Sequence, residues 1–378
     1  MARIYHLLDF CRRERDWLID TIEALVRRES PTVDKAAVDR CGAELSARLT
    51  AAGGRVTRLT RADRGDHLLA EFGCGSSQLL LLGHFDTVWP VGQLERMPLK
   101  REGGGLYGPG VFDMKAGIAI GMLAARALLE TEVRAARRIV MLWSSDEELG
   151  SAASRQAIEE EAARSEAVLV LEPSLPGGAV KTSRKGCGQY EITARGVAAH
   201  AGVDPEKGAS AVHEIAHQIE RLTTFSRLAP GLTVNVGVVS GGSRPNVVAE
   251  EARATVDVRA ATRSEMQLID DRIRRQEPRD RRVRLEISGG FERPPLERTS
   301  AVARLYDQAR AIAGELGFEL GEGGTGGGSD GNFTAALGIP TLDGLGAAGD
   351  GAHALHEHVD VESLPIRAAL VAGLLASL

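Results

Sequence analysis

Leu79-Leu80-Leu81-Leu82-Gly83-His84-Phe85-Asp86-Thr87-Val88 joins four consecutive leucines to a glycine, an imidazole and a carboxylate. An unbroken apolar run of strand length suits a strand covered on both faces, as in a mostly parallel sheet. Open α/β sheets bind ligands in the crevice beyond the carboxyl ends of their strands, and His84 and Asp86 stand at that end. An imidazole there can hold a metal, with Asp86 placed to fix the ring through its other nitrogen. A lone histidine after a strand is more often structural, so the other strand ends decide the matter.

Two of them repeat the design. Arg138 to Trp143 reads as a buried strand and delivers Ser144-Ser145-Asp146-Glu147-Glu148-Leu149-Gly150-Ser151, and the apolar run Ala167 to Leu171 closes on Glu172 and Pro173. Three successive acids repel one another, and desolvation raises their pKa values unless a cation sits among them. Capping a helix occupies one acid, not three. In Leu106-Tyr107-Gly108-Pro109-Gly110-Val111-Phe112-Asp113-Met114-Lys115 the backbone is irregular, and Asp113 precedes an apolar helix expected over 115–130. Alone, Asp113 reads as a helix N-cap. Near the end, Gly351-Ala352-His353-Ala354-Leu355-His356-Glu357-His358-Val359 packs three histidines into one loop.

Around these segments the chain alternates helix and strand, the pattern of an α/β fold. Apolar spacing predicts helices over 9–29 and 36–52, then strands over 55–60, 67–73 and 79–83. From about 180 the character changes. Gln189 to Arg195, Leu232 to Val239, Glu251 to Val258 and Val283 to Ser288 alternate as strands, with helices near 208–224 and 263–276. A helix at 299–316, the glycine-rich Gly323 to Asp330, a strand at 339–342 and a helix from about 362 restore the α/β character. The expected organisation is a catalytic domain in two parts, 1–180 and 291–378, with a central mixed sheet flanked by helices. Residues 181–290 form an inserted α+β domain, a four-stranded antiparallel sheet with two helices.

With 378 residues, 43% hydrophobic and 26% charged, the chain has the make-up of a globular protein large enough for two domains. A net charge of −6 provides no positive field for nucleic acid or an anionic membrane surface. The arginines from Arg272 to Arg284 are interleaved with acids and read as a solvated helix end and loop. Cys11, Cys41, Cys74 and Cys187 are scattered, as free thiols in a reducing compartment are. With no signal-peptide core and no apolar run of membrane-spanning length, the expected location is cytoplasmic. The run Gly323 to Gly331 lacks the Lys-Ser/Thr of a phosphate loop, which sets a nucleotide site aside.

His84, Asp113, Glu148, Glu172 and His353 are oxygen and imidazole donors without thiolate, a set suited to zinc, cobalt or manganese in a hydrolytic site. Five donors serve two ions if one carboxylate bridges them. Glu147, beside one donor, is placed to act as a general base on the attacking water.

Taken together, Gly83-His84-Phe85-Asp86-Thr87-Val88, Gly108 to Lys115, Asp146-Glu147-Glu148-Leu149-Gly150-Ser151 and His353-Ala354-Leu355-His356-Glu357 resemble the M20 metallopeptidases, which are di-zinc enzymes. The segment Asp86-Thr87-Val88-Trp89-Pro90 is most like their carboxypeptidase G (glutamate carboxypeptidase) branch. The resemblance implies that His84 and Glu172 hold one zinc, Glu148 and His353 the other, and Asp113 bridges them, its peptide bond to Met114 being cis. It implies that Asp86 orients His84, that Glu147 is the base and then the acid, and that His353 rather than His356 is the ligand, four residues before Glu357. Gly196-Val197-Ala198-Ala199-His200-Ala201-Gly202 resembles the family's lid segment, whose histidine stabilises an oxyanion and in several relatives comes from the partner subunit; without that resemblance His200 is a loop residue. Pro245-Asn246-Val247-Val248 and Asp257-Val258-Arg259 resemble segments whose Asn and Arg bind a free carboxylate, although Arg259 also suits a plain surface position. Gly328, within Gly326 to Asp330, matches a substrate-contacting turn. The implied protein is a homodimer, joined through the inserted domain. Its implied reaction is release of a C-terminal amino acid, glutamate in the carboxypeptidase G branch, from a peptide or N-acyl conjugate. N-acyl-amino-acid deacylation is the alternative, and a non-catalytic binding protein on the same fold has no use for Glu147.

Overall fold

The computed structural model describes residues 2–378, and the chain divides into two compact units. The first comprises residues up to Ser183, Arg298–Gly324 and Ser329–Leu378. Its six-stranded sheet runs in the order Arg55–Leu59, His67–Phe72, Arg138–Ser144, Gln78–His84, Ser165–Val170, Thr341–Leu342. His67–Phe72 pairs antiparallel with both of its neighbours and the remaining strands pair parallel, so the sheet is mixed, as expected. Every residue of Gln78–His84 is buried. Leu79 and Leu81 enter one apolar cluster with the helices Ala116–Glu130 and Leu364–Ser377, while Leu80 and Leu82 enter another with Ile158, Ala162 and Phe333. Each leucine taken from water contributes about 1.5–3 kcal/mol, and the four hold the strand from both faces. Register sets His84 beside Ser144 and Leu82 beside Val170, so the segments that follow these strands leave from one edge.

Several features of this unit depart from the sequence expectations. The apolar spacing over 9–29 belongs to two helices, Ala2–Arg13 and Arg15–Val26, parted at Glu14. Its carboxylate accepts from Arg126, whose guanidinium lies over both Phe10 and Trp17, so one apolar stripe continues through the break. A small antiparallel sheet of Gly349–Asp350, His358–Asp360, Gly105–Tyr107 and Lys100–Glu102 has strands of two or three residues, too short for a period. It sets the histidine-rich loop beside the loop that begins at Gly108. Last, a helix at Gly331–Ala336 follows the glycine-rich run.

The second unit is Arg184–Glu297 with Thr325–Gly328. Its antiparallel sheet has the order Thr233–Gly241, Glu251–Ala260, Gly186–Arg195, Arg284–Arg293. Helices Ala211–Phe225 and Arg263–Arg274 cover the face carrying Tyr190, Ile192, Ala254, Val256 and Val258. Ser210 and Thr262 cap these helices by accepting main-chain N–H groups of His213 and Glu265. The last strand continues beyond Ser288 because Gly289, at φ +87°, stays in the ladder where a Cβ would lie 2.2 Å from the Gln189 carbonyl oxygen. No helix among the described residues is long and apolar enough to cross a membrane.

Candidate metal centre

The strand Gln78–His84 ends against Met114. A Cβ at Gly83 would lie 2.4 Å from Met114 Cε, so glycine lets that side chain pack under the strand end. His84, 1% exposed, turns its Nε2 toward Asp113 Oδ1 at 3.2 Å and Glu172 Oε1 at 3.5 Å. Its Nδ1 meets the Asp86 main-chain carbonyl at 3.0 Å and the Asp86 carboxylate at 3.4 Å. Asp86 also accepts from Thr32 Oγ1 and from the main-chain N–H groups of Glu147 and Glu148, tying the acid-rich turn to the histidine strand.

Asp113 faces two ways. Its Oδ2 lies 3.3 Å from His353 Nε2, which is also 3.2 Å from Glu148 Oε2. Two donor groups result, His84–Asp113–Glu172 and Asp113–Glu148–His353, each with its ligand atoms within 4.8 Å of one another. Asp113 belongs to both. It does not cap the following helix, whose first turn receives no side-chain acceptor, and its bond to Met114 is cis. His356 is exposed and stands outside both groups. Among the described residues, the non-glycine residues at positive φ are Ser151, which closes the acid-rich turn, and His353. Such strained conformations gather at functional sites.

Two divalent cations fit this donor set. Three carboxylates and two imidazoles converge without a thiolate, and Glu148 Oε1 is buried with no hydrogen-bond partner, a costly state for a carboxylate oxygen unless a cation meets it. Without ions, protons carry the balancing charge. Contact with Asp113 and then Glu148 pushes the His353 pKa up to about 10. Burial lowers that of His84, but Asp113, Asp86 and Glu172 together drive it well above the usual imidazole range. Burial opposes ionisation of Asp113, yet His353 and His84 hold its carboxyl far below the usual range. Burial raises that of Glu148.

Ligation requires neutral imidazole, so a cation must displace these protons. Metal uptake by the metal-free protein at pH 7 is therefore expected to release about two protons per chain, with affinity rising as pH climbs toward the His353 value of about 10. Calorimetric titration in buffers of different protonation enthalpy measures this; uptake without proton release contradicts it.

Two buried carboxylates outside the donor groups shape the loops. Glu357 accepts four hydrogen bonds around the Asp113 loop. Asp330 accepts from the hydroxyls of Ser144 and Ser151, one on each side of the turn that carries Glu147 and Glu148. The glycine-rich run thus ends on a buried structural acid in the first unit, whereas Gly328 belongs to the second.

In the second unit, exposed His200 bridges to Val247, and the Asn246 carbonyl accepts from Ala201, so these segments run side by side. Arg259 forks onto Asp257 and places Nη1 2.6 Å from Cys187 Sγ. A Cβ at Gly328 would lie 3.0 Å from both Cys187 Sγ and Arg293 Cδ. Register sets Arg259 and Arg293 on either side of Cys187, and directly opposed residues share a sheet face.

A match to peptidase family M20/M25/M40 covers residues 80–377. The chain is 32% identical over 375 residues to carboxypeptidase G2 of Pseudomonas sp. (strain RS-16), across 97% of this chain and 90% of that protein. It is 30% identical over 374 residues to succinyl-diaminopimelate desuccinylase of Xanthomonas oryzae pv. oryzae (strain PXO99A), across 92% of this chain and 96% of that one. Among solved structures, aminopeptidase PepT from Bacillus cereus ATCC 10987 superposes with a TM-score of 0.80 at 23% identity, covering 96% of this chain and 98% of that one. The M20 family metallo-carboxypeptidase Sso-CP2 from Sulfolobus solfataricus does so at 0.74 and 16% identity, covering 95% and 98%.

Proposed function

The chain belongs to peptidase family M20/M25/M40, and from that premise we propose that it is a two-metal, zinc-type carboxypeptidase, cleaving an amide bond to release a C-terminal amino acid, glutamate or a close relative, from a peptide or N-acyl conjugate. The observation that carries the reading is the pair of donor groups sharing Asp113, with Glu147 beside them in sequence and outside both.

In this reading His84 and Glu172 hold one ion, Glu148 and His353 the other, and Asp113 both; zinc is the proposed ion, and cobalt or manganese can replace it. The ions supply Lewis acidity toward the carbonyl and lower the pKa of water. Glu147 takes a proton from the attacking water and returns it to the departing amine nitrogen, so one carboxyl serves as base and then acid. Asp86 keeps its place by binding the His84 ring and the main chain of Glu147 and Glu148. His200 donates to the carbonyl oxygen as negative charge develops there.

Recognition is assigned to Asn246, Arg259 and the main chain at Gly328. A guanidinium matches a carboxylate by forked hydrogen bonding, the role proposed for Arg259. The similarity to carboxypeptidase G2 supports amino-acid release as the selective feature. That to a desuccinylase supports the second reading, in which the acyl group is selected. The proposed assembly is a homodimer through the second unit, whose edge strand Thr233–Gly241 leaves Val238 62% and Val239 53% exposed.

The test is hydrolysis by cobalt- or zinc-loaded protein of two panels, one acyl group on many amino acids and many acyl groups on glutamate. The rate is expected to follow the amino acid and tolerate acyl changes. The reverse pattern establishes the deacylase, and no hydrolysis in either panel overturns the function. Light scattering on the same preparation reads the assembly, with a monomer overturning the dimer.

A further inference from the structure

We infer that Glu357 is a positioning residue whose carboxylate gathers the segments bearing His84, Asp113 and His353 into one metal-binding arrangement. The inference rests on the two-metal reading above and adds a group that ligates nothing itself.

Glu357 is 0% exposed. Its Oε1 accepts from Phe112 N at 2.9 Å and Asp113 N at 3.0 Å, and its Oε2 from Gly110 N at 2.9 Å and Trp89 Nε1 at 2.8 Å. Three donors belong to the loop that presents Asp113, including the amide of Asp113 itself. The fourth, Trp89, lies five residues beyond His84. Glu357 in turn lies four residues beyond His353, and its main chain is fixed at both ends. Its N–H donates to the Ala354 carbonyl and its own carbonyl accepts from Gly108. The next residue, His358, pairs with Tyr107 in the small sheet. One side chain is therefore connected to three of the five segments that furnish the two donor groups.

The chemistry of the donors makes the carboxylate necessary. Main-chain N–H and indole N–H groups donate only and cannot turn round to accept. Four of them converging in a dry pocket need four acceptor sites, which an ionised carboxylate has. Glutamine has the same shape but one acceptor oxygen, and either orientation of its amide sets an NH₂ against two N–H groups. An apolar replacement leaves all four donors orphaned. Gly110, at φ +70° and with a would-be Cβ 2.5 Å from Thr87 Cγ2, allows the loop to present its N–H inward. A carboxylate that merely filled space would need no such convergence.

The test is stepwise cobalt titration of metal-free wild type, Glu357→Gln and Glu357→Asp, followed by visible absorption, with thermal unfolding of each metal-free protein as the control. Wild type should take up two equivalents. Glu357→Gln is expected to bind the second about 10–100-fold more weakly and to show an altered cobalt band, and Glu357→Asp, which keeps the charge, should restore part of both. Wild-type affinity and spectrum in Glu357→Gln overturn the inference while leaving the two-metal reading in place; failure of wild type to bind two ions overturns that reading itself. Should Glu357→Gln not fold, Trp89→Phe removes one donor and leaves the carboxylate. A severalfold weaker second equivalent then supports the inference, and an unchanged titration overturns it.

Discussion

Glu147→Gln is expected to lower turnover by about 10³-fold or more while two metal equivalents stay bound. General acid–base catalysis contributes about 10²–10⁴-fold for one proton transfer, and here one carboxyl serves both the attack and the departure of the amine. An amide cannot take the proton at either stage. The substitution is isosteric and keeps the Glu147 main-chain N–H on Asp86, so the turn should not move. Glu147 belongs to neither donor group, so metal content is expected to match wild type. Glu148→Gln should behave differently, losing activity because it loses an ion. Metal analysis beside steady-state rates separates the two, and Glu147→Gln enzyme within tenfold of wild-type kcat would remove this residue from the proton-transfer role.

That contrast between adjacent glutamates marks how far the sequence could be read. His84, Glu148 and Glu172 follow buried strands and Asp113 precedes a buried helix, so a short window with its apolar run marks each as a candidate, and their recurrence from one strand end to the next decides for a shared site. The register that brings them to one edge is a property of the sheet. Glu357 and Asp330 gave weaker signals. A buried acceptor of main-chain N–H groups and a solvated surface acid look alike in a window, and what tells them apart is the donors that arrive from 244–268 residues away in the case of Glu357. Asp330 closes the run that resembles a substrate-contacting turn, and no window shows that the hydroxyls of Ser144 and Ser151 bind its carboxylate. The two-residue strand Gly349–Asp350 has no period at all, although it helps set where the His353 loop runs. Local windows therefore give the donors, and long-range pairing gives the devices that hold them.

Asp113→Asn should have the broader effect on the metals, because no other side chain belongs to both groups. Oδ1 is turned to His84 and Oδ2 to His353. An amide leaves one ligating oxygen and presents an NH₂, which repels a cation, to the other group. One equivalent is expected to be lost and the remaining one weakened, whereas Glu172→Gln and Glu148→Gln should each cost only the ion on their own side. The variant should also change the metal-free protein. Asp113 is the foremost cause of the high His353 pKa, so removing its charge brings that pKa down toward the ordinary imidazole value. Fewer protons are then released at pH 7 when the remaining ion binds, and the rise of affinity with pH ends sooner. Cobalt stoichiometry across the three variants, with proton release measured calorimetrically, reads both effects at once. If Asp113→Asn kept two equivalents at wild-type affinity, the two ions would have to be held independently, and a shared carboxylate would no longer explain why a single aspartate lies 3.2–3.3 Å from two histidines of distant segments.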